Sequence, residues 1–123
     1  MFLAQANLAF RFVLELVAFV AAGYWGYSLA DGLMGGTLAL AIALVMALIW
    51  GTFGVPNDPS RATNPAVAVP GWLRFLIEML LFGFAVWCVF AVGLLLWGWL
   101  FAAALLLHYG LAYPRLLWLF KQK

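Results

Sequence analysis

A chain of 123 residues that is 69% hydrophobic and only 8% charged holds far less charge than the about 25% of an average soluble domain. One domain of this size has no interior large enough to hide that apolar surface, which leaves lipid as its main solvent. The net charge of +2 is small and scattered and gives no footing for nucleic acid, and the lone Cys88 excludes an internal disulfide.

The opening residues, Met1-Phe2-Leu3-Ala4-Gln5-Ala6-Asn7, lack a basic stretch ahead of the apolar part, so they read as a retained segment rather than a removable signal peptide. A first membrane span is expected over 7–29, with Asn7 as its cap and Asp31-Gly32 as the turn that ends it. Tyr24, Trp25 and Tyr27 suit an interfacial belt. A second span is expected over 34–54. In it Gly35, Ala39, Ala43, Ala47 and Gly51 recur at every fourth position, a stripe that lets another helix backbone come close.

Residues 55–70 hold Pro56, Pro59, Pro65 and Pro70 among Asn57, Asp58, Ser60, Arg61, Thr63 and Asn64. Prolines this dense deny helix and sheet ladders alike, so a loop outside the membrane is expected. From Pro70 onward the apolar pattern hardly stops. A single helix from Gly71 to Phe120 would be about 75 Å long at 1.5 Å per residue, over twice the hydrocarbon thickness. The chain must fold back, best at 93–98, giving spans over 71–92 and 95–113. Pro114 then ends or kinks the last span, and 115–123 is expected as an amphipathic tail at the interface.

Four spans place both termini and the 55–70 loop on one side. That side receives all six basic residues, Arg11, Arg61, Arg74, Arg115, Lys121 and Lys123, while the turns near Asp31 and Gly93 receive none. By the positive-inside rule that side is cytoplasmic. The expected fold class is therefore all-α, a polytopic membrane protein of four transmembrane helices in one domain.

One pattern stands out against this apolar background. Arg11-Phe12-Val13-Leu14-Glu15 recurs as Arg74-Phe75-Leu76-Ile77-Glu78, each copy with its charges four apart on one helical face. The two copies begin spans running in the same direction, so the halves read as a two-helix parallel repeat. Trp50-Gly51 before Pro56 and Tyr109-Gly110 before Pro114 echo it. An ionised group at mid-bilayer costs about 2.5–3.5 kcal/mol, so the four charges are expected to pair, within helices or crosswise as Arg11–Glu78 and Arg74–Glu15.

His108, on the same half of the last span, is a candidate neighbour of the Glu pair. No Glu-x-x-His spacing accompanies it, so neither a metal nor a cofactor is expected. Among the seven tryptophans, Trp25, Trp50, Trp72, Trp97, Trp99 and Trp118 fit interfacial positions; Trp87 and Cys88 fall at mid-span, where plain packing is expected. No Ser/His/Asp set, phosphate loop or CxxC motif is present.

Arg11-Phe12-x-x-Glu15-Leu16, Gly23-Tyr24-x-Gly26, Ile49-Trp50-Gly51-x-Phe53 leading to Pro56, and Pro70-Gly71-x-Leu73-Arg74-x-x-x-Glu78 together resemble the YrdB-like family of small bacterial membrane proteins. The resemblance implies four helices in a bacterial inner membrane, singles out the Arg and Glu positions, and supplies no activity. Function is thus expected at Arg11, Glu15, Arg74, Glu78 and His108. The leading reading is binding or transport of an ion, proton or amphipathic molecule, with transport favouring a homodimer because four short helices enclose little space. The rivals are a membrane enzyme using Glu15 or Glu78 as acid/base with His108 assisting, and a structural or partner-binding subunit.

Overall fold

The computed structural model describes residues 2–60 and 64–122, with the side chains of 2–4 left aside. Arg61, Thr63 and Lys123, which entered the loop and charge-balance readings, lie outside the described residues. Five helices make up the fold: α1 (Phe2–Ser28), α2 (Gly32–Thr52), α3 (Gly71–Ala91), α4 (Leu95–Leu111) and α5 (Tyr113–Phe120). The first three are long and apolar enough to cross a membrane, and α4 with α5 makes a fourth if that pair, bent by 70°, is one span. Large apolar side chains such as Val20, Leu40, Leu80 and Leu106 point outward, a surface that a bilayer solvates far better than water.

α1 packs against α2, α3 and α4, and α3 packs against α4 and α5. The core stripe follows helical spacing, with Leu14, Ala18 and Ala22 on α1, Phe82, Ala85 and Val89 on α3, and Phe101 and Leu105 on α4. Cys88 is wholly buried in this core, while Trp87 is half exposed and packs edge-on to Trp25 and flat on Phe84.

The turns follow from local chemistry. α1 stops at Ser28, whose hydroxyl donates to the Trp25 carbonyl, and Gly32 takes the positive φ of 61° that opens α2. α3 stops at Ala91 with Val92 as its cap; Gly93 takes φ 87°, which lets the Leu94 N–H reach back to the Val89 carbonyl. The close approach between α1 and α2 belongs to the first half of the small-residue stripe and to glycines opposite it. A Cβ at Gly35 would lie 2.8 Å from the Tyr27 carbonyl oxygen, and one at Gly26 3.1 Å from that of Leu38. Ala39 and Ala43 are half-buried, whereas Ala47 and Gly51 are exposed.

Two expectations are corrected here. Asn7 does not cap α1. The helix already runs from Phe2, through residues with no breaker, and Asn7 sits inside it with its amide turned to α4. The proline-rich segment does take part in a ladder: Phe53–Gly54 pairs in parallel with Val67–Ala68, and the Val69 N–H donates to the Gly54 carbonyl at 2.8 Å. The prolines flank these positions rather than occupy them, so no donor is missing. Asn57, at φ 66°, and its bond to the Asn64 side chain shape the turn between.

Beyond the 70° bend, α5 folds across the start of α3. The Gly71 N–H donates to the Gln122 carbonyl at 3.0 Å, and a Cβ at Gly71 would collide with the Leu119 carbonyl. Gly71→Ala is therefore expected to lift α5 and destabilise the protein by about 1–3 kcal/mol, as overpacking does. Thermal unfolding in nanodiscs checks it; an unchanged midpoint would show that the contact is slack.

Candidate functional site

The Arg and Glu positions of the two sequence copies meet at one end of the bundle, and two residues from elsewhere join them. Glu78, wholly buried on α3, is the hub. Its Oε2 lies 2.9 Å from Arg74 Nε, 2.8 Å from Arg115 Nη2 and 3.1 Å from Arg11 Nη2, while its Oε1 accepts from the Tyr109 hydroxyl at 2.7 Å and Arg115 Nη1 at 3.2 Å. Arg11 also bridges to Glu15 at 3.1 Å, the carboxylate one helical turn further along α1. Arg115 carries the network onward, gripping Asp58 through Nε at 2.9 Å and Nη2 at 2.6 Å. Among the described residues, three arginines and three carboxylates, Glu15, Glu78 and Asp58, thus form one connected, charge-balanced cluster.

The geometry answers the pairing question unevenly. Both within-helix pairs and the crossed pair Arg11–Glu78 are formed. Glu15 takes the indole N–H of Trp50 at 3.1 Å in place of Arg74. Arg74 spends Nη1 instead on the carbonyls of Trp50 and Phe53, at 2.8 and 2.7 Å, capping the end of α2 with a cation where the helix dipole is negative. Both guanidiniums approach the Trp50 ring, Arg11 at 5.3 Å and Arg74 at 4.8 Å from its centroid. These contacts and its bond to Glu15 place Trp50 in the cluster.

His108 reaches the cluster through Arg11 and not through either Glu. Arg11 Nη1 lies 3.5 Å from His108 Nε2, and His108 Nδ1 lies 2.9 Å from Asn7 Oδ1. Since arginine only donates, Nε2 accepts, which places the ring proton on Nδ1 and directs it to Asn7. Asn7 Nδ2 in turn donates to the His108 carbonyl at 3.3 Å, at the end of α4. Among the described residues no three of His, Cys, Asp and Glu gather to hold a metal ion.

Arg115 joins the cluster from the segment after the bend, which the sequence marks as an amphipathic tail. α5 is amphipathic, and its inward face carries Arg115 and Leu119, four apart, both buried. Asp58 joins the cluster from the proline-rich loop: it is 4% exposed, and the Ser60 N–H and hydroxyl each donate to its Oδ1 at 2.9 Å. Burial by itself pushes the Asp58 carboxyl up, but Arg115 and Ser60 outweigh it and hold it below the usual carboxylate range.

A cleft of about 340 Å³ opens beside the cluster. Its polar lining is Asn7, Arg11, Ser60, His108 and Arg115; its apolar lining is Leu8, Pro59, Leu111, Ala112, Pro114 and Trp118. Arg11 Nη2 is buried and makes no hydrogen bond among the described residues, since its approach to Glu78 lacks the geometry of one.

This is a small all-α protein with three to four helices of membrane-spanning length and a buried ionic cluster at one end. The chain belongs to the family described as "Protein of unknown function (DUF2568)", which matches residues 9–106. It is similar to "Uncharacterized protein YrdB" of Bacillus subtilis (strain 168), 33% identical over 118 residues that cover 96% of each chain. No solved structure matches it.

Two outcomes are expected. Glu78→Gln leaves buried arginines short of a partner and should cost about 3–5 kcal/mol, whereas Glu15→Gln, at a side chain 20% exposed, should cost clearly less. Denaturant titration in mixed micelles ranks the two, and equal losses would deny Glu78 its central place. A carboxyl held low gives stability that is present above the ordinary value of about 3.9 and is lost as pH falls through the lowered folded value. Asp58→Asn should therefore be less stable than the wild type near neutral pH and converge with it in acid. A gap in unfolding midpoint that persists unchanged at the acid end would contradict this.

Proposed function

We propose that the protein is a multi-pass membrane protein with four spans and cytoplasmic termini that binds an amphipathic small molecule in the cleft beside its ionic cluster. The cleft carries the reading. Its volume falls within the about 300–1,000 Å³ of small-molecule sites, and its lining joins five polar side chains to an apolar wall. Arg11 and Arg115 in that lining are already oriented by the cluster behind them, so a ligand meets donors that need no reordering.

The four-span threading, with α4 and α5 as one bent span, is supported by charge. Arg11, Arg74, Arg115 and Lys121 belong to the cluster end, and the turns at Asp31 and Gly93 carry no basic residue. The parallel repeat is supported by a matched pair of contacts: Asn7 near the start of α1 meets a carbonyl at the end of α4, and Arg74 near the start of α3 meets carbonyls at the end of α2. A second reading, a clasp that registers the helices, is favoured by the charge balance of the cluster and is compatible with the first. The acid/base reading has less support, since Glu78 receives three arginines and Tyr109 and keeps no lone pair for a substrate proton.

Leu111→Trp should fill the cleft without touching the ionic cluster. Calorimetric titration of nanodisc-embedded protein with ten-carbon amphiphiles of varied head group, corrected with empty discs, is expected to show saturable binding that weakens at least about tenfold in the variant. Binding equal in both proteins would place the ligand elsewhere.

A further inference from the structure

Resting on that reading, we infer that the cleft takes a single-chain amphiphile whose head is an oxyanion, carboxylate or phosphate, seated against Arg11 with its chain lying along Leu8, Leu111 and Trp118. The cleft's charged wall is entirely cationic: Arg11 and Arg115 line it, while Glu78, Asp58 and Glu15 lie behind them and outside the lining. A cationic head would meet two arginines there and no carboxylate among the described residues.

The donor inventory points the same way. Arg115 spends Nε, Nη1 and Nη2 on Asp58 and Glu78. Arg11 spends Nε on Glu15 and directs Nη1 to Glu78 and His108, while its Nη2 lies 3.1 Å from Glu78 Oε2 in an ion pair that lacks hydrogen-bond geometry, with no hydrogen bond among the described residues. Of the groups that could meet the two guanidiniums lining the cleft, an anionic oxygen is the strongest acceptor. His108, with Nδ1 bound to Asn7 and Nε2 facing Arg11, adds no competing negative charge.

Chain number follows from size. A cavity of about 340 Å³ sits at the low end for a ligand site, room for a head group and part of one chain. Leu8 and Leu111 are exposed at the same time as they line the cleft, so a longer chain continues along them into the surrounding apolar layer.

The test uses the full chain in nanodiscs of zwitterionic lipid, titrated with decanoate, decyl phosphate, decyl maltoside and decyltrimethylammonium, with acetate and inorganic phosphate as chainless controls. Decanoate or decyl phosphate is expected to bind at least about tenfold more tightly than the neutral and cationic heads, and their ratio tells carboxylate from phosphate. Affinity should fall with added salt and fall again in Arg11→Lys, which keeps the charge and removes the forked donors. Equal affinity for all four heads overturns the anion while leaving an amphiphile site standing. Chainless controls binding as tightly as their decyl counterparts overturn the apolar half. No saturable binding by any probe removes both this inference and the reading beneath it. The head-group comparison is made on the wild type, so it holds even where Arg11→Lys fails to fold.

Discussion

A wholly buried carboxylate needs its charge matched, and Glu78 is matched three times over. Each match recruits a different part of the chain. Arg11 comes from α1, Arg74 from the turn below on α3, and Arg115 from α5. Removing a carboxylate from water costs several kcal/mol, and the cost is recovered only where geometry is good and the remaining lone pairs are filled. The Tyr109 hydroxyl fills one of those that remain. The bundle end is therefore specified by polar demand, in a molecule whose apolar helices would otherwise slide past one another with little penalty.

The other contacts at this end follow from satisfying the three arginines in turn. Arg115 carries more donors than Glu78 accepts, which draws Asp58 and hence the proline-rich segment onto the bundle. Arg74 has a donor to spare for the last carbonyls of α2, so an orphaned helix end is capped by a side chain from α3. Arg11 keeps an Nη2 that makes an ion pair to Glu78 but no hydrogen bond among the described residues, and it is Arg11 and Arg115 that border the cleft. A charge-balanced cluster behind a cationic wall reconciles a stabilising role with a binding one, because the same guanidinium can face a carboxylate on one side and a ligand on the other.

Much of this was legible in the sequence. The apolar stretches, Asp31-Gly32, Gly93 and Pro114 mark where helices begin, turn and bend, since each acts through its own backbone chemistry. Arg11, Glu15, Arg74 and Glu78 declare themselves because charge inside an apolar helix has few excuses. Arg115 and Asp58 were harder to see. Arg115 shares a helical face with Leu119, and Asp58 is the one carboxylate in the proline-rich segment; matching charges across the cluster end would have linked them. Nothing local told Trp50 from the interfacial tryptophans, or Asn7 from a helix cap, because their partners come from other helices.

The sequence by itself determined the apolar helices of spanning length and the four charged positions of the Arg/Glu repeat, because hydropathy and charge are properties of residues. Tertiary structure alone decided that the two copies are unequal. Glu78 became the hub and Glu15 a half-buried flank because α5 bends by 70° across the start of α3 and delivers Arg115 to one of them only. That choice depends on the close fit of Gly71 against Leu119, a packing event between residues far apart in the chain, and no repeat in the sequence records it.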